Sequence, residues 1–450
     1  MLMIIIPLGL LFGIALIKQI PKIGGDIRVA LLAATISSAI ISELTVWGML
    51  VAMVDGIDRL AWVIMLSIFG SIYAETQVKI GSVDTTLFSL RAIFGRSSRG
   101  LIIAIFMTLI FAGSLLGDAI AAATVIGFLV IHALSELRLK PEQIGMIILL
   151  GSSIGSIMPP ITQGVFLSAS LVNTDPSPVL HLAFLTVSVG AIIAVIESIR
   201  FVKNKKLPND LIPTESLGQL LEARWTTLIP LFVLLIIVLT HAIFNYNIFT
   251  NFPVLSMISQ LLMKVPIIQG VTFPVVSAII VASIVSFLFT NVRNQAKKIV
   301  KDGIIRVHQT VQIQICAGMM VGVFYASGVI DQMAIMTQEL STSMVKIGGM
   351  LSVVIVGMMT GSQTTAQTVN ITFLGPILEN MHVDPTLIAL GASHIAAAGQ
   401  NMPPVGLTAF VICGLIGGIL NQKVNPLRVM FLALPNSMYF LLVGLLVWFL

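Results

Sequence analysis

Oxygen-bearing side chains gather at four points of this sequence where glycine or proline interrupts an apolar segment. Two interruptions are glycines, in the runs GSLLGDAIAAATVIG (113–127) and GSQTTAQTVNI (361–371). The other two are the proline pairs of GSIMPPI (155–161) and GQNMPPV (399–405). Serine, threonine, asparagine and glutamine surround these breaks, together with one carboxylate, Asp118. Because hard cations such as sodium favour oxygen ligands, the pattern indicates a cation site.

Proline removes a backbone donor and clashes with the turn before it, so each break frees helical carbonyl oxygens. Oxygens at the breaks are therefore the predicted cation ligands: Ser114, Gly117, Asp118, Ser153, Gly155, Ser156, Pro159, Gly361, Ser362, Thr365, Gly399, Asn401 and Pro403. Neighbouring amides and hydroxyls are the predicted substrate contacts: Thr162, Gln163, Gln363, Thr364, Gln400 and Thr408. Sodium is the predicted ion, with a proton as the alternative, and no site for another metal is predicted.

The carboxylate of Asp118 has two interpretations. A carboxylate at membrane depth is costly and usually marks an ion or proton pathway, so Asp118 could complete a cation site or titrate. It could also cap the helix that follows, and the two roles can coexist. His394 is assigned to an interhelical hydrogen bond, with a functional role as the alternative. Met158 and Met402 are assigned to packing.

Composition decides which elements can position these residues. The chain has 450 residues, of which 57% are hydrophobic and only 10% charged, and its mean hydropathy is +1.05. Many segments reach the roughly 20 apolar residues that cross a bilayer. We therefore expect an all-α, multi-pass protein surrounded by membrane lipid. Two cysteines give no disulfide framework, and a net charge of +5 placed at segment ends argues against nucleic-acid binding.

The apolar segments fall into two halves separated by a polar stretch. Residues 203–225 carry several basic residues and are predicted to form a cytoplasmic linker with an amphipathic helix, between halves 1–202 and 226–450. The first span has no basic residues before it and no small-residue cleavage site, so it is predicted to be retained. Spans are predicted near 2–17, 28–45, 57–75, 101–117, 118–135, 143–172, 179–202, 226–244, 271–290, 308–330, 349–361, 362–380, 386–417 and 429–449.

The two halves align without a gap when residue n is placed on residue n+244. Gly117 then falls on Gly361, and Pro141 falls on Pro385. The run GSIMPPI falls on GQNMPPV, with its glycine, methionine and both prolines coincident. The sequence therefore predicts an internal repeat whose best-matched positions break helices.

Charge predicts that the second repeat is inverted. Short basic loops mark the cytoplasmic side. The loop SELRLKP (135–141) carries two basic residues, whereas its counterpart ENMHVDP (379–385) carries no lysine or arginine. Re-entrant hairpins at about 101–135 and 349–380, with broken helices at about 143–172 and 386–417, leave both termini outside. The other basic groups then lie inside: Lys18, Lys22, Arg28, Arg91, Arg96, Arg99, Lys203, Lys205, Lys206, Arg293, Lys297, Lys298, Lys301, Lys423 and Arg428.

These runs resemble the large membrane subunit of TRAP transporters, DctM-like proteins of the ion transporter superfamily. In that family a G-S-S-x-A-T-x-x-A-I-G-like run precedes a G-x-L-x-P-P-S-like run, and the second half ends in x-T-P-P-V-G-x-N-x-F. NMPPVGLTAF keeps the two prolines, the valine, the glycine and the phenylalanine, while Met402 and Thr408 stand at the usual Thr and Asn. Asp118 replaces a small hydroxyl residue at the first tip.

The resemblance implies an elevator-type fold, with a scaffold and a transport domain, in the bacterial inner membrane. It also implies sodium-coupled uptake of a small organic acid anion, such as a dicarboxylate. An extracytoplasmic substrate-binding protein and a small four-span membrane subunit would be its partners. A stand-alone symporter or antiporter, coupled to protons through Asp118, is the alternative, and a homo-oligomer remains open.

Other classes of protein fit the sequence less well. A membrane-embedded enzyme would need a nucleophile beside a base, paired aspartates or an H-E-x-x-H motif. A channel would need a selectivity filter or a ring of charges. The residues at the breaks match neither pattern, and we predict a secondary transporter rather than an enzyme. None of the four breaks carries a basic residue, so the sequence gives the acid group of the substrate no predicted partner.

Overall fold

The protein is built from helices joined by turns. The computed structural model describes residues 2–17, 19–21, 23–203, 205–244, 246–251, 253–337 and 341–450. Lys18 and Lys22 of the basic groups lie outside the described residues. The all-α prediction is confirmed. Before the linker come α1 (Leu2–Leu16), α2 (Ile27–Ile41), α3 (Val46–Arg59), α4 (Ala61–Ile80), α5 (Ser82–Phe94), α6 (Ser98–Leu116), α7 (Ala119–Glu136), α8 (Pro141–Ile157), α9 (Gln163–Leu171) and α10 (Pro176–Ile199).

The linker contains α11 (Leu217–Arg224). The helices of the second half are α12 (Ile229–Phe244), α13 (Ile248–Asn251), α14 (Pro253–Leu262), α15 (Pro274–Phe287), α16 (Thr290–Arg293), α17 (Ala296–Ala326), α18 (Val329–Thr337), α19 (Thr342–Thr360), α20 (Gln363–Asn380), α21 (Pro385–Asn401), α22 (Leu407–Leu420) and α23 (Pro426–Phe449).

Helices suit a lipid environment because each helix pairs its own backbone N–H and C=O groups in hydrogen bonds. Among the described residues, seven helical stretches are long and apolar enough to cross a membrane. The multi-pass prediction is therefore confirmed. The seven are 61–80, 98–116, 119–136, 176–202, 217–238, 342–360 and 426–449.

The helix bounds repeat at the spacing that the sequence alignment predicts. Adding 244 to the bounds of α6, α7 and α8 gives the bounds of α19, α20 and α21, and adding 244 to the first residue of α9 gives the first residue of α22. The helix interruptions repeat because glycine and proline recur at the same positions. We call helices α6–α9 and α19–α22 together the break region.

Glycine pairs allow the first helix of each hairpin, α6 or α19, to lie directly against the broken helix beside it. A Cβ atom added to Gly113 of α6 would come within 2.7 Å of Gly155 Cα on α8. The equivalent Cβ on Gly357 of α19 would lie 3.0 Å from Gly399 Cα on α21. Small residues permit such close helix approach in membranes. The same packing therefore holds each hairpin against its break.

A second group of helices, α2, α3, α4 and α17, packs beside the break region, and we call it the flanking bundle. A Cβ atom on Gly56 of α3 would lie 2.0 Å from Gly318 O on α17, and one on Gly322 would lie 1.8 Å from Ala52 O. Glycines four residues apart on α17 therefore let α3 lie against it. Midway along α4, the Ser71 hydroxyl donates to Gly303 O on α17 at 2.8 Å.

The structure differs from the predicted span near 57–75. Helix α3 ends at Arg59 and α4 begins at Ala61, so two helices meet where one span was expected. Asp55, Asp58 and Arg59 lower the hydropathy of α3 and hide it from a search for apolar segments. Asp58 accepts the backbone N–H of Ile267 at 2.6 Å, which ties the end of α3 to the segment after α14.

The polar linker is held against the first half. Ser216 begins α11 with a capping box, in which its backbone N–H donates to Gln219 Oε1 at 2.9 Å. Two residues of the first half bind linker carbonyls: Ser98 Oγ donates to Lys205 O at 2.8 Å, and Arg91 Nη2 donates to Leu211 O at 3.1 Å. Burial lowers the pKa of the Arg91 guanidinium below its ordinary value.

Candidate functional site

A cavity of about 910 Å³ lies between the break region and the flanking bundle. Both hairpin tips line it, as do residues of both proline breaks and the facing sides of α2, α4 and α17. Its volume falls in the range of about 300–1,000 Å³ that is typical of small-molecule sites. The cavity is therefore the candidate binding site.

The first tip combines a left-handed glycine with a capping carboxylate. Gly117 ends α6 at φ 64°, and its N–H donates to Gly113 O at 2.9 Å. Asp118 begins α7, and its Oδ1 atom accepts the N–H of Ile120 at 3.0 Å. Asp118 also lines the cavity. The capping role proposed from the sequence is present, and it leaves the carboxylate at the cavity wall.

The second tip has the same backbone and a neutral cap. Gly361 ends α19 at φ 66°, and Ser362 begins α20 with its hydroxyl accepting the N–H of Thr365 at 3.3 Å. The N–H of Val405 donates to Met358 O at 3.2 Å, which fastens this tip to the second proline break. The negative charge at the tips thus comes from the first hairpin.

The two tips differ in how tightly they are packed, which predicts different responses to alanine. A Cβ atom on Gly117 would meet nothing nearer than Gln163 Cβ at 3.5 Å, whereas one on Gly361 would lie 2.6 Å from Leu407 N and 2.8 Å from Val405 O. Positive φ costs alanine about 1 kcal/mol at either site. Overpacking adds about 1–3 kcal/mol at Gly361. We expect Gly361→Ala to lower the thermal unfolding midpoint more than Gly117→Ala, and equal midpoints would contradict this packing.

A network of side-chain oxygens and amides joins the breaks, from the cavity wall to the buried residues behind it. Ser153 Oγ donates to Asn401 Oδ1 at 2.9 Å, which links α8 to α21. Gln363 Nε2 donates to Ser156 Oγ at 3.1 Å, and Gln400 Nε2 donates to Gln363 Oε1 at 3.4 Å. The second tip and both breaks are thereby connected through Gln363. This network can hold the oxygens of the breaks in fixed positions.

The first half closes the network through backbone carbonyls. Ser114 Oγ donates to Met158 O at 2.9 Å, which ties the first hairpin to the first proline break. Thr162 Oγ1 donates to Ser156 O at 3.1 Å across the Pro159–Pro160 pair. The Pro159–Pro160 and Pro403–Pro404 peptide bonds are both cis.

The predicted site residues divide into two layers. The first lines the cavity: Gly117, Asp118, Gln163, Gly361, Ser362, Gln363, Thr364, Thr365, Gln400 and Thr408. The second lies behind it around the network: Ser114, Ser153, Gly155, Ser156, Pro159, Thr162, Gly399, Asn401 and Pro403. The sequence could not separate the layers, because both carry the same residue types at the same breaks.

Among the described residues, two hydrogen bonds and one aromatic pair join α9 of the break region to the flanking bundle. Gln163 Nε2, at the start of α9, donates to Ser67 Oγ on α4 at 2.6 Å. The Trp62 and Phe166 rings meet edge-on with centroids 5.5 Å apart. Further along α9, Ser170 Oγ donates to Arg59 O at 3.1 Å. Helix α9 is thus one place where the two groups of helices touch, and α6 against α4 and α20 against α17 are others.

Four charged side chains of the described residues line the cavity, and sequence reasoning identified only Asp118 among them as a site residue. Asp26 and Arg28 stand at the start of α2, and Arg306 projects from α17. Hydrogen bonds from the Arg28 side chain hold the pKa of Asp26 below its ordinary value. Arg306 lies ten residues inside α17, before the span predicted near 308–330. Its signal in the sequence is weak, because it is distant from every break.

His394 makes the contact that was assigned to it from the sequence. His394 is fully buried, and its Nε2 atom lies 2.8 Å from Thr186 Oγ1 on α10. This is the interhelical hydrogen bond assigned to it. In the described part of the chain, no group of three or more His, Cys, Asp or Glu side chains could hold a metal ion.

Paired helix breaks around one cavity are typical of membrane transporters, and sequence comparison assigns the family. Residues 23–450 match the family described as "Tripartite ATP-independent periplasmic transporter, DctM component". The chain belongs to this family, the large permease subunits of TRAP transporters. Membership implies location in the inner membrane, and partner subunits in the form of a small membrane subunit and a substrate-binding protein. No curated protein matches the sequence.

Several solved structures share the fold, including the two that follow. One is MtrF from Neisseria gonorrhoeae, described as illuminating a class of antimetabolite efflux pumps, with a TM-score of 0.61 and 16% identity over 99% of this chain and 93% of that one. The other is the YdaH transporter of Alcanivorax borkumensis, described as having an unusual topology, with a TM-score of 0.62 and 15% identity over 99% of this chain and 96% of that one. At these identities the likeness concerns the fold alone.

Proposed function

We propose that the protein takes up a small organic acid anion together with sodium, as the large subunit of a TRAP system. The observation that carries the proposal is the meeting of both hairpin tips and both proline breaks at one cavity, with Asp118 at its wall. Helix breaks of this kind, paired across inverted repeats, form ion and substrate sites in secondary transporters. The oxygen chemistry of the lining supports a hard cation.

The cation is held at the tips in this proposal. Asp118 supplies the charge, while backbone oxygens near Gly117 and Gly361 and the hydroxyls of Ser362 and Thr365 supply neutral oxygens. The buried residues around Ser153 and Asn401 keep the two proline breaks in fixed positions relative to each other. A bound cation also neutralises Asp118, which would otherwise repel an acidic substrate. The substrate then docks beside Gln363, Thr364 and Gln400.

The cavity opens toward the cytoplasm in the predicted topology. It extends along the first hairpin as far as Val125 but reaches only residues 359–365 on the second. The first hairpin is the one that charge places on the cytoplasmic side. Both tips lie beside breaks in the middle of α8–α9 and α21–α22, which supports re-entrant hairpins rather than full crossings. The conformation is thus inward-facing in this proposal, and the break region moves against the flanking bundle during transport.

Sodium dependence tests the proposal directly. The protein, reconstituted in liposomes with its small membrane subunit and binding protein, is expected to accumulate radiolabelled organic acids when a sodium gradient points inward. Replacing external sodium by potassium should reduce uptake to the level of empty liposomes. Uptake that continues without sodium but needs a proton gradient would replace sodium by protons as the coupling ion. Uptake that needs neither would reject the coupling.

A further inference from the structure

The two arginines at the cavity differ in how far their donors are already used. Arg28 forms a two-point ion pair with Asp26, in which Nε–Oδ1 is 3.0 Å and Nη2–Oδ2 is 2.6 Å. Its remaining nitrogen, Nη1, donates to Gln312 Oε1 at 2.6 Å. Each nitrogen of this guanidinium therefore has a partner within the protein. Arg28 is committed to holding the start of α2 against α17.

Arg306 is not committed in this way. Its Nη2 atom forms an ion pair with Glu75 Oε1 on α4, and the described residues offer it no other hydrogen bond or ion pair. A guanidinium carries five N–H donors in a planar fork that suits two carboxylate oxygens. The Arg306 side chain is 39% exposed, against 14% for Glu75. Most of its donors are therefore open to the cavity.

Arg306 also interacts electrostatically with Asp118 at the first tip. Its positive charge acts on the Asp118 carboxylate, and both groups line the same cavity. With a cation at Asp118 and a substrate carboxylate at Arg306, the charges alternate in sign. Negative Asp118 is followed by the cation, the negative carboxylate, positive Arg306 and negative Glu75. An acidic substrate without the cation would face Asp118 unscreened. This order of charges gives a physical reason for coupling substrate binding to cation binding.

We propose that Arg306 binds the carboxylate of the substrate, and that Glu75 is the resident acid from which the substrate takes over this arginine. The proposal rests on the proposed function and adds to it the group that recognises the substrate. It assigns the substrate to compounds with a carboxylate, rather than to neutral compounds of the same shape. Because Arg306 belongs to the flanking bundle, the contact exists while the cavity is open and must be released when the break region moves.

The competing explanation is that the ion pair between Arg306 and Glu75 only stabilises the fold. Substituting each partner separately distinguishes the two explanations. If the pair only holds α4 to α17, Arg306→Gln and Glu75→Gln should affect the protein alike. If Arg306 binds substrate, Arg306→Gln should weaken substrate binding, whereas Glu75→Gln should strengthen it by freeing the guanidinium. Arg306→Lys keeps the charge without the planar fork, so its effect should lie between wild type and Arg306→Gln.

The experiment measures binding to the purified full-length chain by thermal shift and calorimetry, in sodium and in potassium. The probes are succinate, glutarate and gluconate, each compared with its uncharged amide. Loss of a charge-assisted hydrogen bond should weaken carboxylate binding by about 10- to 100-fold in Arg306→Gln. That variant should also bind acid and amide almost equally. Lys301→Gln is the matched control, since Lys301 is an exposed cation on the same helix.

The outcomes separate this inference from the proposed function. Sodium-dependent carboxylate binding that is lost in Arg306→Gln, kept in Lys301→Gln and strengthened in Glu75→Gln supports the assignment. Binding that is unchanged in Arg306→Gln overturns the assignment of Arg306 and leaves the proposed function standing. Equal weakening in Arg306→Gln and Glu75→Gln also overturns it, in favour of the structural pair. Binding of the acids that is the same in sodium and in potassium counts against the sodium coupling of the proposed function, whatever the Arg306 variants do.

Discussion

Asp118→Asn is expected to weaken the response of substrate uptake to sodium while leaving the fold intact. Asparagine caps helices as well as aspartate does, so the hydrogen bond to Ile120 N at 3.0 Å can be kept. The substitution therefore removes the charge at the tip without removing the cap. Loss of a charged ligand should raise the sodium concentration for half-maximal uptake by about 10- to 100-fold. Initial uptake rates measured against sodium concentration give this value.

Two variants separate charge from capping in this experiment. Asp175 begins α10 and accepts the N–H of Ser177 at 3.0 Å, the same geometry at an exposed site away from the cavity. Asp175→Asn should leave the sodium response unchanged. Asp118→Ala, which loses both charge and cap, should be less stable than Asp118→Asn. If Asp118→Asn keeps the wild-type sodium response and only Asp118→Ala is impaired, then Asp118 is a helix cap and has no role in coupling.

The breaks could be predicted from the sequence because their cause is local. A glycine at positive φ and a proline after an apolar helix act on their own backbone, so Gly117, Gly361, Pro159 and Pro403 mark the ends of helices wherever the rest of the chain lies. The repeat at a spacing of 244 residues follows from the same residues. The family assignment rests on these motifs too, and the match over residues 23–450 confirms it.

Long-range placement could not be predicted in the same way. Ser153 and Asn401 have the residue types of cation ligands, yet they bind each other at 2.9 Å behind the cavity. Arg306 reaches the cavity because α17 begins at Ala296 and carries it along α4, which no local pattern records. Helix α3 was missed because its charged residues lower its hydropathy, and one of them, Asp58, accepts a hydrogen bond from Ile267 N at 2.6 Å. Side-chain partners 200 or more residues apart in sequence decide each of these cases.

Cross-linking the break region to the flanking bundle is expected to stop transport completely. Gln163 and Ser67 meet across the two groups, with Nε2 and Oγ 2.6 Å apart, and movement of the break region must separate them. In a background with Cys316→Ala and Cys413→Ala, the pair Ser67→Cys and Gln163→Cys can be joined by a short bis-methanethiosulfonate reagent. Uptake should fall to the level of empty liposomes after cross-linking and return after reduction.

The matched control lies within the flanking bundle. Ser38 and Ser327 are buried with their Oγ atoms 2.9 Å apart, so Ser38→Cys and Ser327→Cys cross-link two elements that need not separate. Transport should survive this cross-link. The locked Ser67–Gln163 pair should still bind substrate from the cytoplasmic side, which would distinguish an arrested protein from a misfolded one. Full uptake by that cross-linked pair would mean that α9 does not move against α4, and an elevator mechanism along this contact would be excluded.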